Sequence, residues 1–254
     1  MSFKRRTEPA APLVVEPGDR LLERPAFILS SVRSGSTLLR VLLDSHSELH
    51  SPHELHLRHL TVRMRNKPVR KAMAELGLGR SRIQYLLWDR LLHRELTRHG
   101  KRHLVNKTPS DVFIADRIAE CWPDARFVYL LRHPAAIARS RAKARPQDSQ
   151  ERNLQAVRRY TDALERARAK HPGHVVRYED LTADPQGELE RLCAFLGVAF
   201  EPAMLDYAQF DHGTYKVGLG DWTEKIRSGE VKPADPPPAD VPEALRPVCE
   251  AWGY

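Results

Sequence analysis

Short apolar runs alternate with longer amphipathic segments along most of the chain. Residues 27–29 and 126–131 are apolar runs of the length expected for buried strands, and weaker strand patterns cover 102–107 and 174–177. Helical periodicity follows these runs. The predicted helices start near Leu38 and near Pro134, and others cover 150–170 and 185–196. Strands that alternate with helices predict an α/β fold in which helices flank a central parallel sheet.

The length of 254 residues favours one domain. Residues 1–24 are rich in charge and proline and are predicted to form a flexible N-terminal arm, so that the folded domain spans 25–254. Residues 55–100 are predicted to be a helical insertion in this domain. Residues 233–242 are predicted to form a proline-rich connector.

A polar turn joins the first predicted strand to the first predicted helix. It runs from Ser30 to Thr37 and contains one glycine, Gly35, and one cation, Arg33. Ser36 or Thr37 is placed to cap the helix. A strand, a tight polar loop and a helix start direct free backbone N–H groups and the positive end of the helix dipole at one point. The sequence therefore predicts a phosphate or sulfate site here, with Arg33 as an additional donor.

This turn resembles the 5′-phosphosulfate loop of sulfotransferases that use 3′-phosphoadenosine 5′-phosphosulfate (PAPS), in the variant written Arg-Ser-Gly-Ser-Thr. It does not match the loop of nucleoside triphosphatases, because residue 30 is Ser and no Lys follows Gly35. The resemblance implies a P-loop-like sulfotransferase fold with PAPS as co-substrate. The cofactor-binding residues that it implies in this loop are Arg33, Ser34, Gly35, Ser36, Thr37 and Leu38.

Later stretches resemble the same family in the same order. Arg132 leaves a predicted strand and Ser140 follows eight residues later, as in the family's 3′-phosphate motif. Lys216 and Gly218 belong to a stretch similar to the loop over the 3′-phosphate, with a valine in place of the expected glycine between them. Tyr178 matches a tyrosine that lies by the adenine, although a half-buried tyrosine at a strand end explains it equally well. The resemblance implies cofactor binding by all five.

Sulfuryl transfer is an in-line displacement that resembles phosphoryl transfer. The protein has to align an acceptor hydroxyl, remove its proton and neutralise the charge on the transferring group. By the resemblance, Arg33 takes the cationic role that a lysine plays in cytosolic members, and Lys107 reaches the transferring group. Fixed cations and backbone donors then suffice, so the resemblance implies no metal.

The general base is predicted to be a carboxylate. Cytosolic members carry a histidine two residues after the catalytic lysine, but this chain has Pro109 there, which cannot accept a proton. Glu54 matches the position of a glutamate base in other branches, and a buried carboxylate can serve. His53 and His56 are alternatives because imidazole titrates near neutral pH. Glu54 could instead pair with Arg58 one turn along a helix.

Four histidines in this region recur every third residue and raise the question of a metal site. They are His50, His53, His56 and His59. A zinc-protease helix needs His-Glu-x-x-His, which this segment lacks, and no separate carboxylate or cysteine cluster in the sequence completes a site. We therefore expect no metal.

Charge and cysteine content limit which partners and which cellular compartment fit the sequence. The formal net charge of +8 favours an anionic partner. No apolar run is long enough to span a membrane, and the N-terminal stretch has no signal-peptide pattern. Cys121, Cys193 and Cys249 are widely spaced, which predicts reduced thiols and a cytoplasmic protein.

The leading hypothesis is a PAPS-dependent sulfotransferase, similar to bacterial biosynthetic members, that sulfates a hydroxyl of a small-molecule or carrier-bound acceptor and releases 3′,5′-ADP. One alternative is a small-molecule kinase with an atypical phosphate loop, which the missing Gly-Lys-Ser/Thr disfavours. Another is a basic nucleic-acid-binding protein. Scattered arginines without aromatic-studded strands or a recognisable reading helix disfavour it, so we expect neither nucleic acid nor a membrane as partner.

Overall fold

The computed structural model describes residues 20–213 and 224–254. Within them, five strands form one sheet in the order β2-β3-β1-β4-β5, and every neighbouring pair is parallel. The strands are β1 (Ala26–Ser30), β2 (Leu49–His50), β3 (His103–Lys107), β4 (Arg126–Leu131) and β5 (Gly173–Arg177). This sheet confirms the predicted α/β fold. The carboxyl ends of β1, β3 and β4 lie side by side, which is where open parallel sheets bind ligands.

Ten α-helices surround the sheet in the described part of the chain. They are α1 (Ser36–Asp44), α2 (Lys67–Glu75), α3 (Arg80–His99), α4 (Ala115–Cys121), α5 (Pro134–Ala144), α6 (Gln150–Lys170), α7 (Tyr178–Ala183), α8 (Pro185–Leu196), α9 (Glu224–Arg227) and α10 (Arg246–Ala251). Four 3₁₀ segments lie between them: Leu57–His59, Pro109–Ile114, Pro202–Gln209 and Glu243–Leu245.

Different helices cover the two faces of the sheet. Successive strand residues point to opposite faces, so Phe27 and Leu29 of β1 belong to one hydrophobic cluster and Ile28 to another. The first cluster includes Trp88 of α3 and Leu164 of α6, both fully buried. The second is formed largely with α1 and α8. Because β1 is buried on both faces, its sequence is a continuous apolar run rather than an alternating one.

Two local predictions were wrong. The residue that precedes α1 is Gly35, in a left-handed conformation and without a side-chain cap, so neither Ser36 nor Thr37 caps the helix. The uncapped first turn leaves backbone N–H groups for a ligand. The chain after residue 54 was expected to be helical, but before α2 only Leu57–His59 forms a 3₁₀ turn, since His56 takes a left-handed φ of 50° that interrupts a helix.

Residues 20–24, which we had assigned to a flexible arm, are attached to the domain. The backbone N–H groups of Leu21 and Leu22 donate to the carboxylate of Asp89 at 2.7 and 3.1 Å, and Arg20 pairs with Asp124 at 2.7 Å. The remainder of the predicted arm lies outside the described residues. The connector 233–242 contains no regular helix or strand and is docked on α5, where Arg139 donates to the Pro236 carbonyl at 2.7 Å.

Candidate active site

The loop between β1 and α1 is shaped by two residues in left-handed backbone conformations. Arg33 has a φ of 67° and Gly35 a φ of 90°. A non-glycine residue in this region costs on the order of 1–3 kcal/mol, and such strain concentrates at functional sites. The hydroxyl of buried Ser34 donates to the Ser31 carbonyl at 2.7 Å and so fixes the turn from inside. This side chain therefore holds the loop, while its neighbours face the cavity described below.

Arg132 leaves the carboxyl end of β4 and lies directly beside this loop. Its guanidinium donates to the Arg33 carbonyl at 2.9 Å, and the Arg33 Nε donates to the Ser140 hydroxyl at 3.2 Å. Burial lowers the pKa of Arg132. Its Nε is buried and has no hydrogen-bond partner among the residues that the structure describes. Both guanidinium groups thus lie at the same end of the sheet, and the buried Nε–H of Arg132 suits an anionic oxygen.

The ring of Tyr178 lies between the loop and Arg132. The Arg132 Cζ is 4.4 Å from the ring centroid, a cation–π contact. A Cβ built on Gly35 would be only 2.2 Å from the Tyr178 Cδ2. Glycine is therefore required at position 35 both for its positive φ and for the close approach of this ring.

Replacement of Gly35 by Ala is expected to weaken binding of a phosphate- or sulfate-bearing ligand at this loop at least 10-fold, because the new methyl group displaces the Tyr178 ring and with it Arg132. Isothermal titration calorimetry measures the change. Gly77→Ala is the matched control, since Gly77 also has a positive φ (68°) but nothing within 4 Å of the added Cβ. The positive φ alone should cost each variant about 1–2 kcal/mol of stability, and Gly35→Ala should lose more because its Cβ also clashes with Tyr178. Equal ligand affinities in the two variants would contradict the importance of that contact.

Glu54 and Lys107 form an ion pair next to the loop. Lys107, the last residue of β3, is fully buried, and its Nζ donates to the Glu54 Oε1 at 2.6 Å. The Glu54 side chain keeps 15% exposure, and its other oxygen is 3.7 Å from the His56 Nε2. Arg58, the alternative partner of Glu54, has its guanidinium 4.4 Å above the Phe113 ring. His53 is exposed.

Asp111 is a further titratable group near this pair, and sequence reasoning missed it. Its carboxyl group is 1% exposed and accepts from the Asn106 amide at 2.9 Å. Burial, together with the nearby charge of Glu54, raises the pKa of Asp111 to about 7. The position after Lys-Thr-Pro-Ser at the end of a strand was the available signal, but only the packing reveals that the pKa of this carboxyl group is raised so far.

Arg33, Gly35, Glu54, Arg132 and Tyr178 line one cavity of about 1280 Å³. Ligand pockets in proteins usually measure about 300–1,000 Å³, so there is room for a nucleotide and an acceptor together. Seven lysine or arginine side chains line the cavity against three carboxylates, which favours an anionic ligand. The predicted site residues that line it are Arg33, Gly35, Ser36, Thr37, Leu38, Glu54, Arg132, Ser140 and Tyr178.

The remaining predicted residues lie elsewhere. Ser34 and Lys107 are fully buried next to cavity residues. Lys216 and Gly218 lie outside the described residues. Within the segment 55–100, His56 and His59 are the cavity-lining residues that the structure describes, while α2 and α3 take no part in the lining.

A polar loop that joins the carboxyl end of the central parallel strand to an uncapped helix start, with a second arginine beside it, defines a P-loop-like α/β protein. Residues 25–202 match the sulfotransferase family, so the chain belongs to that family. It is 26% identical over 224 residues to the nodulation protein NoeE of Sinorhizobium fredii, covering 74% of this chain and 53% of that protein. It is 23% identical over 204 residues to a protein-tyrosine sulfotransferase of Drosophila melanogaster, covering 74% and 41%. The chain spans about half the length of these curated relatives.

Solved structures show the same fold. The sulfotransferase domain from the curacin biosynthetic pathway is 25% identical, with a TM-score of 0.67 over 92% of this chain and 98% of that one. The sulfotransferase domain from the olefin synthase of Synechococcus PCC 7002 is 26% identical, with a TM-score of 0.67 over 94% and 97%.

Two further findings concern membrane-spanning helices and the cysteines. Across the described residues, the structure holds no helix with the length and apolar character needed to cross a membrane. Cys121, Cys193 and Cys249 are all buried free thiols, and burial raises the pKa of each. Such cysteines are structural rather than reactive.

Proposed function

We propose that this chain transfers a sulfuryl group from PAPS to an acceptor hydroxyl by in-line displacement and releases 3′,5′-ADP. The observation that carries the proposal is the direct contact between the two predicted anion sites. Arg132 donates to the backbone of Arg33, and Arg33 donates to Ser140, all at one cavity. A ligand with phosphate groups at both its 3′ and 5′ positions matches this pair of cationic sites.

The donor is held by residues from three elements. The uncapped start of α1 and the loop residues 33–38 bind the 5′-phosphosulfate through backbone N–H groups and the Arg33 guanidinium. Arg132 and Ser140 bind the 3′-phosphate, together with Lys216 and Gly218 as the sequence predicts. Tyr178 is assigned to the adenine, and its ring also forms the cation–π contact with Arg132.

Glu54 takes the proton from the acceptor hydroxyl in this mechanism. It lines the cavity, and its bond to the buried Lys107 fixes the carboxylate in place. As the acceptor oxygen attacks sulfur, the bond to the nucleotide oxygen breaks and negative charge develops on the departing phosphate. Arg33 and the loop N–H groups stabilise that charge. The role of Lys107 at the transferring group stays a prediction from the family resemblance.

We infer a small-molecule or carrier-bound hydroxyl as the acceptor. The inference draws on the two structural neighbours, which are sulfotransferase domains of a biosynthetic pathway and of a synthase. The three reduced, buried thiols support a cytoplasmic location.

Thermal unfolding in the presence of three ligands tests the proposal against its alternatives. A ligand that binds only the folded state raises the melting temperature. We expect 3′,5′-ADP to raise it and ATP with Mg²⁺ or an oligonucleotide to leave it nearly unchanged. A larger shift with ATP and Mg²⁺ would favour a kinase, and a larger shift with the oligonucleotide would favour nucleic-acid binding.

Incubation of the enzyme with PAPS and a metabolite extract identifies the acceptor. Mass spectrometry should detect a metabolite that gains the mass of one SO₃ group, with 3′,5′-ADP as the second product. No such gain across small-molecule and carrier-protein fractions, despite binding of 3′,5′-ADP, would contradict transfer to a hydroxyl.

Arg132→Ala is expected to weaken 3′,5′-ADP binding by roughly 10–100-fold, since a hydrogen bond to a charged group contributes about 1.5–3 kcal/mol. Affinity for 5′-ADP, which lacks the 3′-phosphate, should change much less. Calorimetry with both nucleotides separates loss of the phosphate contact from general damage to the cavity. Arg166→Ala, at an exposed position on α6, is the control. Equal losses for the two nucleotides would remove the 3′-phosphate assignment.

A further inference from the structure

A second cluster of titratable side chains lies where β2 meets the last turn of α3. It consists of His50, Glu95 and His99, which each offer one ligand atom within 4.8 Å of the others. Glu95 and His99 are four residues apart on α3 and so lie on the same helix face. The three residues are absent from the lining of the active-site cavity described above.

His50 gives the first independent indication of a ligand. Its side chain is 95% buried, at 5% exposure, yet its Nε2 has no hydrogen-bond partner among the described residues. This nitrogen points into the cluster, because it lies 3.5 Å from the Glu95 Oε1. A buried polar atom without a hydrogen-bond partner is destabilising, and a bound cation would remove that cost.

The second indication of a ligand comes from the oxygen atoms that lie near the Nδ1 atoms of His50 and His99. The His50 Nδ1 lies 3.4 Å from the Asp44 Oδ1, and the His99 Nδ1 lies 2.8 Å from the Glu95 carbonyl oxygen. A ring that directs Nδ1–H at an oxygen keeps a lone pair on Nε2, which is the usual arrangement of metal-bound histidine. The His50 ring therefore presents Nε2 as its ligand atom, whereas the His99 Nδ1 lies 3.6 Å from the Glu95 Oε1 as well, so that the orientation of the exposed His99 ring decides which of its nitrogens binds.

We propose that His50, Glu95 and His99 form a binding site for a zinc-class divalent transition-metal ion, with Asp44 as the carboxylate behind His50. Two imidazoles and one carboxylate are a ligand set that zinc uses, with water in the fourth position. This site is separate from the sulfuryl-transfer chemistry, and it replaces our expectation from the sequence that no carboxylate completes a histidine site.

Metal binding requires one local rearrangement. The His50 and His99 rings are stacked, with centroids 3.9 Å apart and an angle of 15° between planes, so their in-plane lone pairs are nearly parallel. Nitrogen ligands lie about 2.0–2.1 Å from zinc, and the ligand atoms therefore have to approach one another. His99, 46% exposed at the side chain, can turn out of the stack while the buried His50 stays in place. Its exposure also provides the entry path.

Binding would join the sheet edge to a helix. β2 consists of two residues and pairs only with β3 in the described sheet. A metal held by β2 and α3 would restrain this short edge strand, which leads four residues later to Glu54. We therefore expect the ion to act on stability rather than on nucleotide binding.

Spectroscopic titration of the tag-free, full-length protein with Co²⁺ tests the proposal, because four-coordinate Co²⁺ absorbs visible light and reports its ligands. We expect one ion per chain, displaced by Zn²⁺, and a rise in melting temperature with Zn²⁺ alone. Glu95→Gln and His99→Gln should each weaken Co²⁺ binding at least 10-fold.

His93→Gln is the matched control, since His93 lies on the same helix outside the cluster. His99→Gln is the decisive variant because the side chain is half exposed and its replacement should leave the fold intact. Co²⁺ binding that is equal in His99→Gln, Glu95→Gln and His93→Gln would overturn the proposal, as would the absence of a visible absorption band in the unmodified protein. Neither outcome affects the test with 3′,5′-ADP.

Discussion

Replacement of Glu54 by Gln is expected to lower turnover by roughly 10²–10⁴-fold while 3′,5′-ADP binds with nearly unchanged affinity, because general-base catalysis contributes a factor of that size. The amide keeps the shape of the side chain and an oxygen that can accept the Lys107 hydrogen bond, but it cannot take the proton. Steady-state kinetics with the acceptor identified by mass spectrometry measure the turnover. Calorimetry with 3′,5′-ADP measures the nucleotide affinity separately.

Two histidine variants decide between the possible bases. His56→Gln should lower turnover less than Glu54→Gln does. The His56 Nε2 lies 3.7 Å from the Glu54 carboxylate, so in this mechanism His56 is a neighbour of the base and does not itself take the proton. His53→Gln should leave the rate unchanged, because His53 is exposed. A normal rate in Glu54→Gln combined with a large loss in His56→Gln would move the base to His56.

Lys107→Met is expected to reduce both stability and turnover. It removes one partner of an ion pair in which the lysine is fully buried and the glutamate side chain is 15% exposed. Breaking a fully buried pair costs about 3–5 kcal/mol, and the residual exposure of Glu54 should reduce the loss to roughly 2–4 kcal/mol. Urea unfolding measures the stability, and the same transfer assay measures the rate, which we expect to fall at least 10²-fold.

The double variant Glu54→Gln/Lys107→Met separates structure from catalysis. Removing both charges should recover much of the stability, since the large cost arises from leaving one buried charge unpaired. Turnover should stay as low as in Glu54→Gln. Lys170→Met is the control for the loss of a lysine, because its pair with Asp116 at 2.8 Å is exposed and should contribute about 0–1 kcal/mol. Recovery of turnover in the double variant would show that the pair serves stability alone.

The strands at the centre of the sheet were predictable because they are buried on both faces. The apolar runs at 27–29 and 126–131 lie in β1 and β4, and the helix predicted over 150–170 corresponds to α6. β2 was missed, since two residues carry too little periodicity to detect. The interrupted helix after residue 54 was also not predictable, because the left-handed conformation of His56 depends on contacts such as that of its N–H with the Thr108 hydroxyl.

The motifs named nine of the residues that line the cavity, but they did not reveal how these residues contact one another. No pattern in the sequence indicates that Tyr178 packs between Gly35 and Arg132. The raised pKa of Asp111 arises from burial, which no local pattern reports. The repeat that includes His50 was set aside because no nearby carboxylate or cysteine cluster completes a site, and Glu95, which lies beside His50 in the fold, is 45 positions away along the chain.

By itself, the sequence predicted the α/β architecture, the polar loop around Arg33 between β1 and α1, and the position of Arg132 directly after β4. These are set by local chemistry, because strand burial, helix starts and loop composition act over a few residues. The tertiary structure alone decided which side chains meet: Arg132 with the Arg33 backbone, Lys107 with Glu54, and His50 with its partners on α3. Such contacts join residues distant in sequence, and strand order and helix packing, rather than spacing along the chain, fix which of them form.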